Sequence, residues 1–204
     1  MEDFGLYLVM TNPVVGYERC CEAAVKAGVR MVQLRMKDAP RAELLAMAKA
    51  LVAITRGSDT KLIVDDDASV AAEAGADGVH VGQEDMAAAE ARRLLGPDKI
   101  VGVTCKTVEQ AIEAERQGAD YLGSGAMFPS LAKPGATGIS FDTLRAICAA
   151  VETPVVAIGG ITHDNMDKLQ GTGIAGVCVV GAIFAQPDPE QAARALKEKV
   201  TQIL

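Results

Sequence analysis

The chain has 204 residues; half are apolar and 23% are charged, and 20 Lys and Arg against 27 Asp and Glu give a net charge of -7. This length and composition predict a globular protein with one domain over residues 1–204, large enough to bury a core without disulfides or a structural zinc. A negative surface disfavours nucleic acid and anionic membranes as partners. A few local cations could still hold a small phosphorylated molecule.

The sequence carries no membrane or secretion signal. No apolar run reaches the roughly 18 residues of a membrane span, and the acidic residues 1–5 lack the basic and apolar parts of a secretory leader. Five cysteines without a C-x-x-C pair are typical of reduced thiols. We therefore expect a cytoplasmic protein in which the cysteines are mostly small apolar filler, with Cys105 in a polar loop. A homo-oligomer is compatible with the sequence.

Short apolar runs recur in chain order and predict eight strands. Several are apolar at consecutive positions, which is typical of parallel strands buried on both faces. Segments with helical spacing separate them, among them 42–55, 108–117 and 143–151, and Gly28, Gly75, Gly118 and Gly173 follow helical stretches at C-cap positions. The alternation predicts an α/β fold, a (β/α)8 TIM barrel, with a doubly wound open sheet as the alternative. The predicted strands are 6–11, 29–34, 62–65, 78–82, 100–104, 120–123, 154–158 and 176–180.

In such a barrel the active site lies where the strands end, so the residues after each strand are the candidates. Gln33, Arg35 and Lys37 alternate along the end of the second strand, which places them on one side of the chain. Two cations and an amide suit an oxyanion with several oxygens, such as a diphosphate. The alternative is a solvated basic edge.

Carboxylates follow the next two strands. Asp65, Asp66 and Asp67 end the third strand, and Glu84 and Asp85 follow the fourth. A triple Asp suits either a turn at a helix N-terminus or a cation site. Carboxylates from two neighbouring strand ends, beside Arg and Lys, favour a Mg²⁺–diphosphate site. His80 fits the barrel wall better than a metal site, because it has no histidine partner nearby in the sequence.

The later strand ends are rich in glycine and polar residues. The fifth runs into Thr104, and a long segment from 125 to 138, containing Ser130 and Lys133, follows the sixth. Glycines after the seventh and eighth strands, each turn expected to lead into a helix, are typical of a phosphate site. The alternative is that these glycines serve close packing.

Seven motifs in register then resemble one family. They are QLRMK at 33–37, AGADGVHVGQED at 74–85, GVTCKT at 102–107, GADYLG at 118–123, FPSLAK at 128–133, AIGGI at 157–161 and VVGAI at 179–183. Together they span nearly the whole chain in order, and they resemble thiamine phosphate synthase.

The resemblance implies a transferase that joins a hydroxymethylpyrimidine diphosphate to a thiazole phosphate, releasing pyrophosphate through a pyrimidine carbocation. It implies that Arg35, Lys37 and Lys133 act in catalysis, and that Asp66 and Asp85 hold Mg²⁺. The diphosphate site would be Gln33, Arg35, Lys37, Asp65, Thr104 and Lys133. The thiazole phosphate site would be Ser130, Ala132, Gly160, Val180 and Gly181.

The chain departs from the family pattern at several of these positions. The family often has Asn at 65, Thr at 130 and 132, Ser at 181 and His at 106, where this chain has Asp65, Ser130, Ala132, Gly181 and Lys106. The related thiazole tautomerase uses a His after the sixth strand, and residues 123–129 contain none. The two alternatives are that tautomerase and a non-catalytic phosphometabolite-binding barrel.

Overall fold

The eight apolar runs form eight parallel strands that close into a barrel, because β1 pairs with β8 as well as with β2. The computed structural model describes residues 4–129 and 138–204. The strands are β1 Gly5–Met10, β2 Met31–Leu34, β3 Lys61–Asp65, β4 Gly78–Val81, β5 Ile100–Cys105, β6 Tyr121–Ser124, β7 Val155–Ile158 and β8 Gly176–Val179. The barrel prediction is confirmed, and the open-sheet alternative is wrong.

Helices cover the outside of the barrel, and their bounds lie within two residues of those predicted for 42–55, 108–117 and 143–151. The helices are α1 Tyr17–Ala27, α2 Arg41–Thr55, α3 Ala68–Ala74, α4 Ala88–Leu95, α5 Val108–Arg116, α6 Phe141–Ala150, α7 Gly181–Phe184 and α8 Pro189–Ile203. In the described parts of the chain, no helix combines the length and the apolarity needed to cross a membrane.

Two sequence-based expectations are wrong. The helix expected between β7 and β8 is a single 3₁₀ turn, Met166–Leu169, so Gly173 caps no α-helix. Cys105 ends β5 and is fully buried, because strand alternation turns its side chain away from the barrel axis into the layer beneath the helices. Gly28 and Gly75 do cap α1 and α3 in the left-handed conformation.

The core has two layers, and this division positions the site. One layer lies between the strands and the helices. The other fills the barrel interior with alternate strand residues, including Tyr7, Met31, Ile63, Tyr121 and Cys178. Interior side chains nearer the carboxyl ends of β2 to β5 are largely polar, so the barrel opens there into a pocket with a polar side.

Candidate active site

A pocket of about 860 Å³ lies at the carboxyl ends of the strands. All eight strands or the turns after them contribute to its wall. The polar side chains that line it are Tyr7, Thr11, Gln33, Arg35, Lys37, Asp65, Asp66, His80, Gln83, Glu84, Asp85, Thr104, Lys106, Gln110 and Tyr121. The residues predicted to bind a diphosphate and a metal, apart from Lys133, are therefore brought together in one cavity.

Gln33, Arg35 and Lys37 all line this pocket, but they differ in depth. Gln33 is buried inside the barrel, Arg35 is partly buried and Lys37 is exposed. Parallel pairing explains the first two positions, since the peptide N–H of Arg35 donates to the carbonyl of Met10 and continues the β1–β2 ladder. The amide of Gln33 therefore lies at the floor of the pocket, the guanidinium of Arg35 above it and the ammonium of Lys37 at the rim.

The three consecutive aspartates after β3 have three different roles. Asp67 caps α3 and accepts hydrogen bonds from the N–H of Val70 (2.9 Å) and the hydroxyl of Ser69 (2.6 Å). Asp65 pairs with Arg35, with 3.1 Å between Oδ2 and Nε. Asp66 lies between them with a φ of 64°, and its N–H donates to the carbonyl of His80. The helix-cap interpretation of the triple Asp is therefore confirmed for Asp67, whereas Asp65 and Asp66 line the pocket.

Two carboxyl groups of the pocket, those of Asp65 and Asp66, have raised pKa values. Burial, and after it the charge of Asp66, raises the pKa of Asp65 to about 7, although Arg35 and Lys37 act to lower it. Burial also raises the pKa of Asp66, as do a hydrogen bond with Asp85 and the charge of that residue. Ionisation of Asp66 beside Asp85 is therefore disfavoured.

Asp66 and Asp85 are the residues that could hold a cation. Asp85 is itself oriented by the N–H of Gly82, which donates to its Oδ2 at 2.7 Å. Across residues 4–129 and 138–204, no group of three or more His, Cys, Asp and Glu is arranged to hold a metal. An ion at this pair would need further oxygen ligands from water or a substrate.

A hydrogen-bonded chain of side chains forms the floor of the pocket. Gln33 donates to the hydroxyl of Tyr7 (2.6 Å), which shares a hydrogen bond with the hydroxyl of Tyr121 (2.9 Å). His80 joins Tyr121 through Nδ1 and Thr104 through Nε2, both at 2.9 Å. Burial lowers the pKa of His80 to about 4, so its ring is neutral at pH 7. His80 is a barrel-wall residue, and no other histidine lines the pocket.

Two residues of this floor, Tyr7 and Tyr121, are not evident from the sequence pattern. They are 114 residues apart and meet only because the barrel closes. The available signal is a glycine on a neighbouring strand: a Cβ at Gly102 would lie 2.1 Å from Cζ of Tyr121. Gly102 and Gly123 leave the space that the rings of Tyr121 and His80 fill.

The residues expected to bind a thiazole phosphate lie beyond the floor, on the β7–β8 side. Val180 lines the pocket, whereas Gly160 and Gly181 are not among its described lining residues. Gly160 has a φ of 65°, and a Cβ there would lie 2.5 Å from the carbonyl oxygens of Phe128 and Pro129. The turn after β7 leads into the 3₁₀ turn, while the turn after β8 leads into α7. Ser130, Ala132 and Lys133 lie outside the described residues.

Comparison with known proteins matches this chain to one family. A family model described as thiamine monophosphate synthase matches residues 6–183. The chain is 43% identical to thiamine-phosphate synthase 2 of Streptococcus pneumoniae, covering 100% of this chain and 98% of the relative. It is 42% identical to thiamine-phosphate synthase of Ruminiclostridium cellulolyticum, covering 96% and 95%.

Solved structures agree. The thiamine phosphate pyrophosphorylase of Pyrococcus furiosus superposes with a TM-score of 0.91 at 35% identity, covering 100% of this chain and 98% of that one. A 3-hexulose-6-phosphate synthase, at 24% identity and a TM-score of 0.70, shares the fold. Since the family model covers most of the chain and the relatives match over nearly its whole length, the chain belongs to the thiamine monophosphate synthase family.

Proposed function

We propose that this chain joins a hydroxymethylpyrimidine diphosphate to a thiazole phosphate, giving thiamine phosphate and pyrophosphate. The observation that carries the proposal is one pocket in which Arg35 and Lys37 face the acidic pair Asp66 and Asp85. Cations beside paired carboxylates suit a diphosphate that arrives with a divalent metal. The family membership selects this reaction among those that such a pocket could serve.

Mg²⁺ is the metal we propose, held by Asp66 and Asp85. Both residues offer carboxylate oxygens, the type of ligand that Mg²⁺ prefers, and the charge of Asp85 raises the pKa of Asp66. Two protein ligands are enough, because Mg²⁺ commonly completes its octahedron with water and substrate oxygens. When bound, the ion would supply positive charge against the leaving pyrophosphate.

Bond breaking would precede bond formation. The aminopyrimidine can stabilise a cation at its exocyclic methylene, so its C–O bond to the diphosphate can break before the thiazole nitrogen attacks. Arg35, Lys37 and Lys133 would bind the diphosphate and balance the charge that grows on it. The chain then needs no covalent nucleophile, and its main task is to hold two substrates in line.

The floor of the pocket would be compatible with a cationic intermediate, because it carries no positive charge. Gln33, Tyr7, Tyr121, His80 and Thr104 offer hydrogen-bonding groups at fixed positions. His80 is neutral at pH 7, because burial lowers its pKa to about 4. A charged imidazolium at this depth would repel a carbocation, and a neutral ring does not.

The thiazole phosphate would bind on the β7–β8 side, among Ser130, Ala132, Gly160, Val180 and Gly181. The turn after β7 is compatible with this, since Gly159 and Gly160 have positive φ and carry no side chains, although both pack closely against residues 126–129. The absence of a serine hydroxyl at Gly181 and of a threonine hydroxyl at Ala132 makes backbone N–H groups the main donors there.

A cytoplasmic location is also part of the proposal. All five cysteines are free thiols, which supports a reducing compartment.

The test is incubation of the purified chain with both substrates, with and without Mg²⁺, and identification of the products by mass. We expect thiamine phosphate and pyrophosphate in equal amounts, dependent on the metal. Binding of both substrates without turnover would contradict the proposal and would indicate a non-catalytic phosphometabolite-binding barrel.

A further inference from the structure

An ion pair joins the ends of two neighbouring strands inside the pocket. The β2–β3 register aligns Leu34 with Val64, so the next residues, Arg35 and Asp65, lie side by side. Arg35 Nε and Asp65 Oδ2 are 3.1 Å apart, and the side chains are only 22% and 12% exposed. Among the described residues, Asp65 is the one acid within ion-pair distance of Arg35.

The two partners differ in how firmly the chain holds them. Asp65 is short, and its backbone is fixed by pairing with His80 on β4 and by a hydrogen bond from the N–H of Asp67 to its carbonyl (2.8 Å). Arg35 is long and has several rotatable bonds. A fixed acid beside a flexible base acts on the orientation of the base.

Asp65 lies beside Nε of Arg35, and this position affects which N–H groups can bind a ligand. The guanidinium is a rigid planar fork whose Nε carries one N–H and whose terminal nitrogens carry four. Since Nε is the nitrogen of Arg35 nearest to Asp65, attraction between the two charges draws this edge of the group toward Asp65, while its terminal N–H groups remain available to an oxyanion. A carboxylate that itself contacted the diphosphate would instead add repulsion between like charges.

We infer that Asp65 is a positioning residue that orients the guanidinium of Arg35 toward the diphosphate, and not a ligand of the diphosphate. The inference rests on the proposed function, and it changes the role that the family resemblance implied for Asp65. In this role Asp65 preorganises Arg35, so that the guanidinium holds its binding orientation before the substrate arrives.

The test compares Asp65→Ala, Asp65→Asn, Arg35→Ala and the double variant Asp65→Ala/Arg35→Ala. The first readout is kcat/KM for the pyrimidine diphosphate, with KM for the thiazole phosphate alongside. The second, independent of turnover, is the Kd for inorganic pyrophosphate with Mg²⁺, measured by calorimetry. Asp67→Ala is the matched control, because it removes the capping carboxylate that does not line the pocket.

We expect Asp65→Ala to lower kcat/KM for the diphosphate by up to about 100-fold, the scale of a misplaced binding group. Asp65→Asn should restore part of this, because an amide oxygen of the same reach stays beside Nε. The double variant should match Arg35→Ala within about twofold, as expected when one residue acts through the other. Pyrophosphate affinity should follow the same order, while KM for the thiazole phosphate and the kinetics of Asp67→Ala stay near wild type.

Three results would overturn the inference: full activity and pyrophosphate affinity in Asp65→Ala, an Asn variant as weak as the Ala variant, or losses that multiply in the double variant. If Asp65→Ala does not fold, Asp65→Ser, also too short to reach Nε, takes its place. A wild-type chain that makes no thiamine phosphate refutes the proposed function alone. In that case the pyrophosphate affinities of the variants still decide the role of Asp65.

Discussion

Individual residues at the pocket floor fit by shape as well as by hydrogen bonding. Tyr121 and His80 occupy the barrel interior because the facing positions, Gly102 and Gly123, have no side chains. Barrel interiors are packed solid, so a ring on one strand needs a small residue on the next. A single sequence shows each glycine, but the ring that fills its space becomes evident only when the strand register is known.

Gly102→Ala should therefore be much more harmful than Gly123→Ala. A Cβ at Gly102 would lie 2.1 Å from Cζ of Tyr121, whereas at Gly123 the nearest atom is Cε1 of His80 at 3.1 Å. We expect losses of about 3 kcal/mol or more and of about 1 kcal/mol in the free energy of unfolding, measured by urea denaturation. Equal losses would show that the floor repacks freely around Tyr121.

Asp65 should make stability depend on pH in an unusual direction. Its pKa is about 7 in the folded chain, against about 3.9 in the unfolded chain, so between these values the folded state binds more protons. Stability from this group is thus present below about pH 4 and is lost as the pH rises through 7.

Asp65→Asn should remove this loss. The variant should gain up to about 4 kcal/mol over wild type at about pH 8, but little at about pH 4. Urea denaturation in the presence of EDTA measures the difference. Asp142→Asn, at a carboxylate that is 94% exposed, is the control and should show no such gain. A constant difference between Asp65→Asn and wild type across this range would mean that Asp65 titrates normally.

At the scale of elements, the strands are easier to predict from the sequence than the connections between them. Strands buried on both faces leave consecutive apolar residues, a signal that survives without tertiary information. The connection after β7 is not predictable from the sequence pattern. Residues 162–172 form a 3₁₀ turn and loops, and the shape of this segment depends on the side chain of Asn165. Asn165 donates from Nδ2 to the carbonyl of Gly160 and accepts at Oδ1 from the N–H of Thr162, both at 2.9 Å.

Asn165 should therefore support the turn that we propose to bind the thiazole phosphate. Asn165→Ala removes both hydrogen bonds and frees the Gly159–Gly160 turn, so we expect KM for the thiazole phosphate to rise about 10-fold. KM for the pyrimidine diphosphate should stay within about twofold, because its proposed site lies mainly on β2–β5. Steady-state kinetics measure both. His163→Ala, on the same turn with an exposed side chain, is the control. A rise confined to the diphosphate KM would contradict the assignment of this turn.

At the scale of the whole molecule, closure of the barrel creates the pocket. The barrel is predictable because eight strand signals alternate with helical segments, and the fold then assigns every strand end to one face. The sequence therefore predicts that Arg35, Lys37, Asp66 and Asp85 lie at this face, and all four line the pocket. The chain Gln33–Tyr7–Tyr121–His80–Thr104 was not, since it depends on which interior side chains meet across the closed barrel.

The central claim is that this pocket holds a metal-bound pyrimidine diphosphate between its cations and its acidic pair. Its most direct test is calorimetric titration of the diphosphate into wild type, Asp66→Asn, Asp85→Asn and the surface control Asp142→Asn, with and without Mg²⁺. Binding should be strengthened by Mg²⁺ in wild type and in the control, and this enhancement should be lost in both pocket variants. An unchanged Mg²⁺ enhancement in Asp66→Asn and Asp85→Asn would contradict the claim.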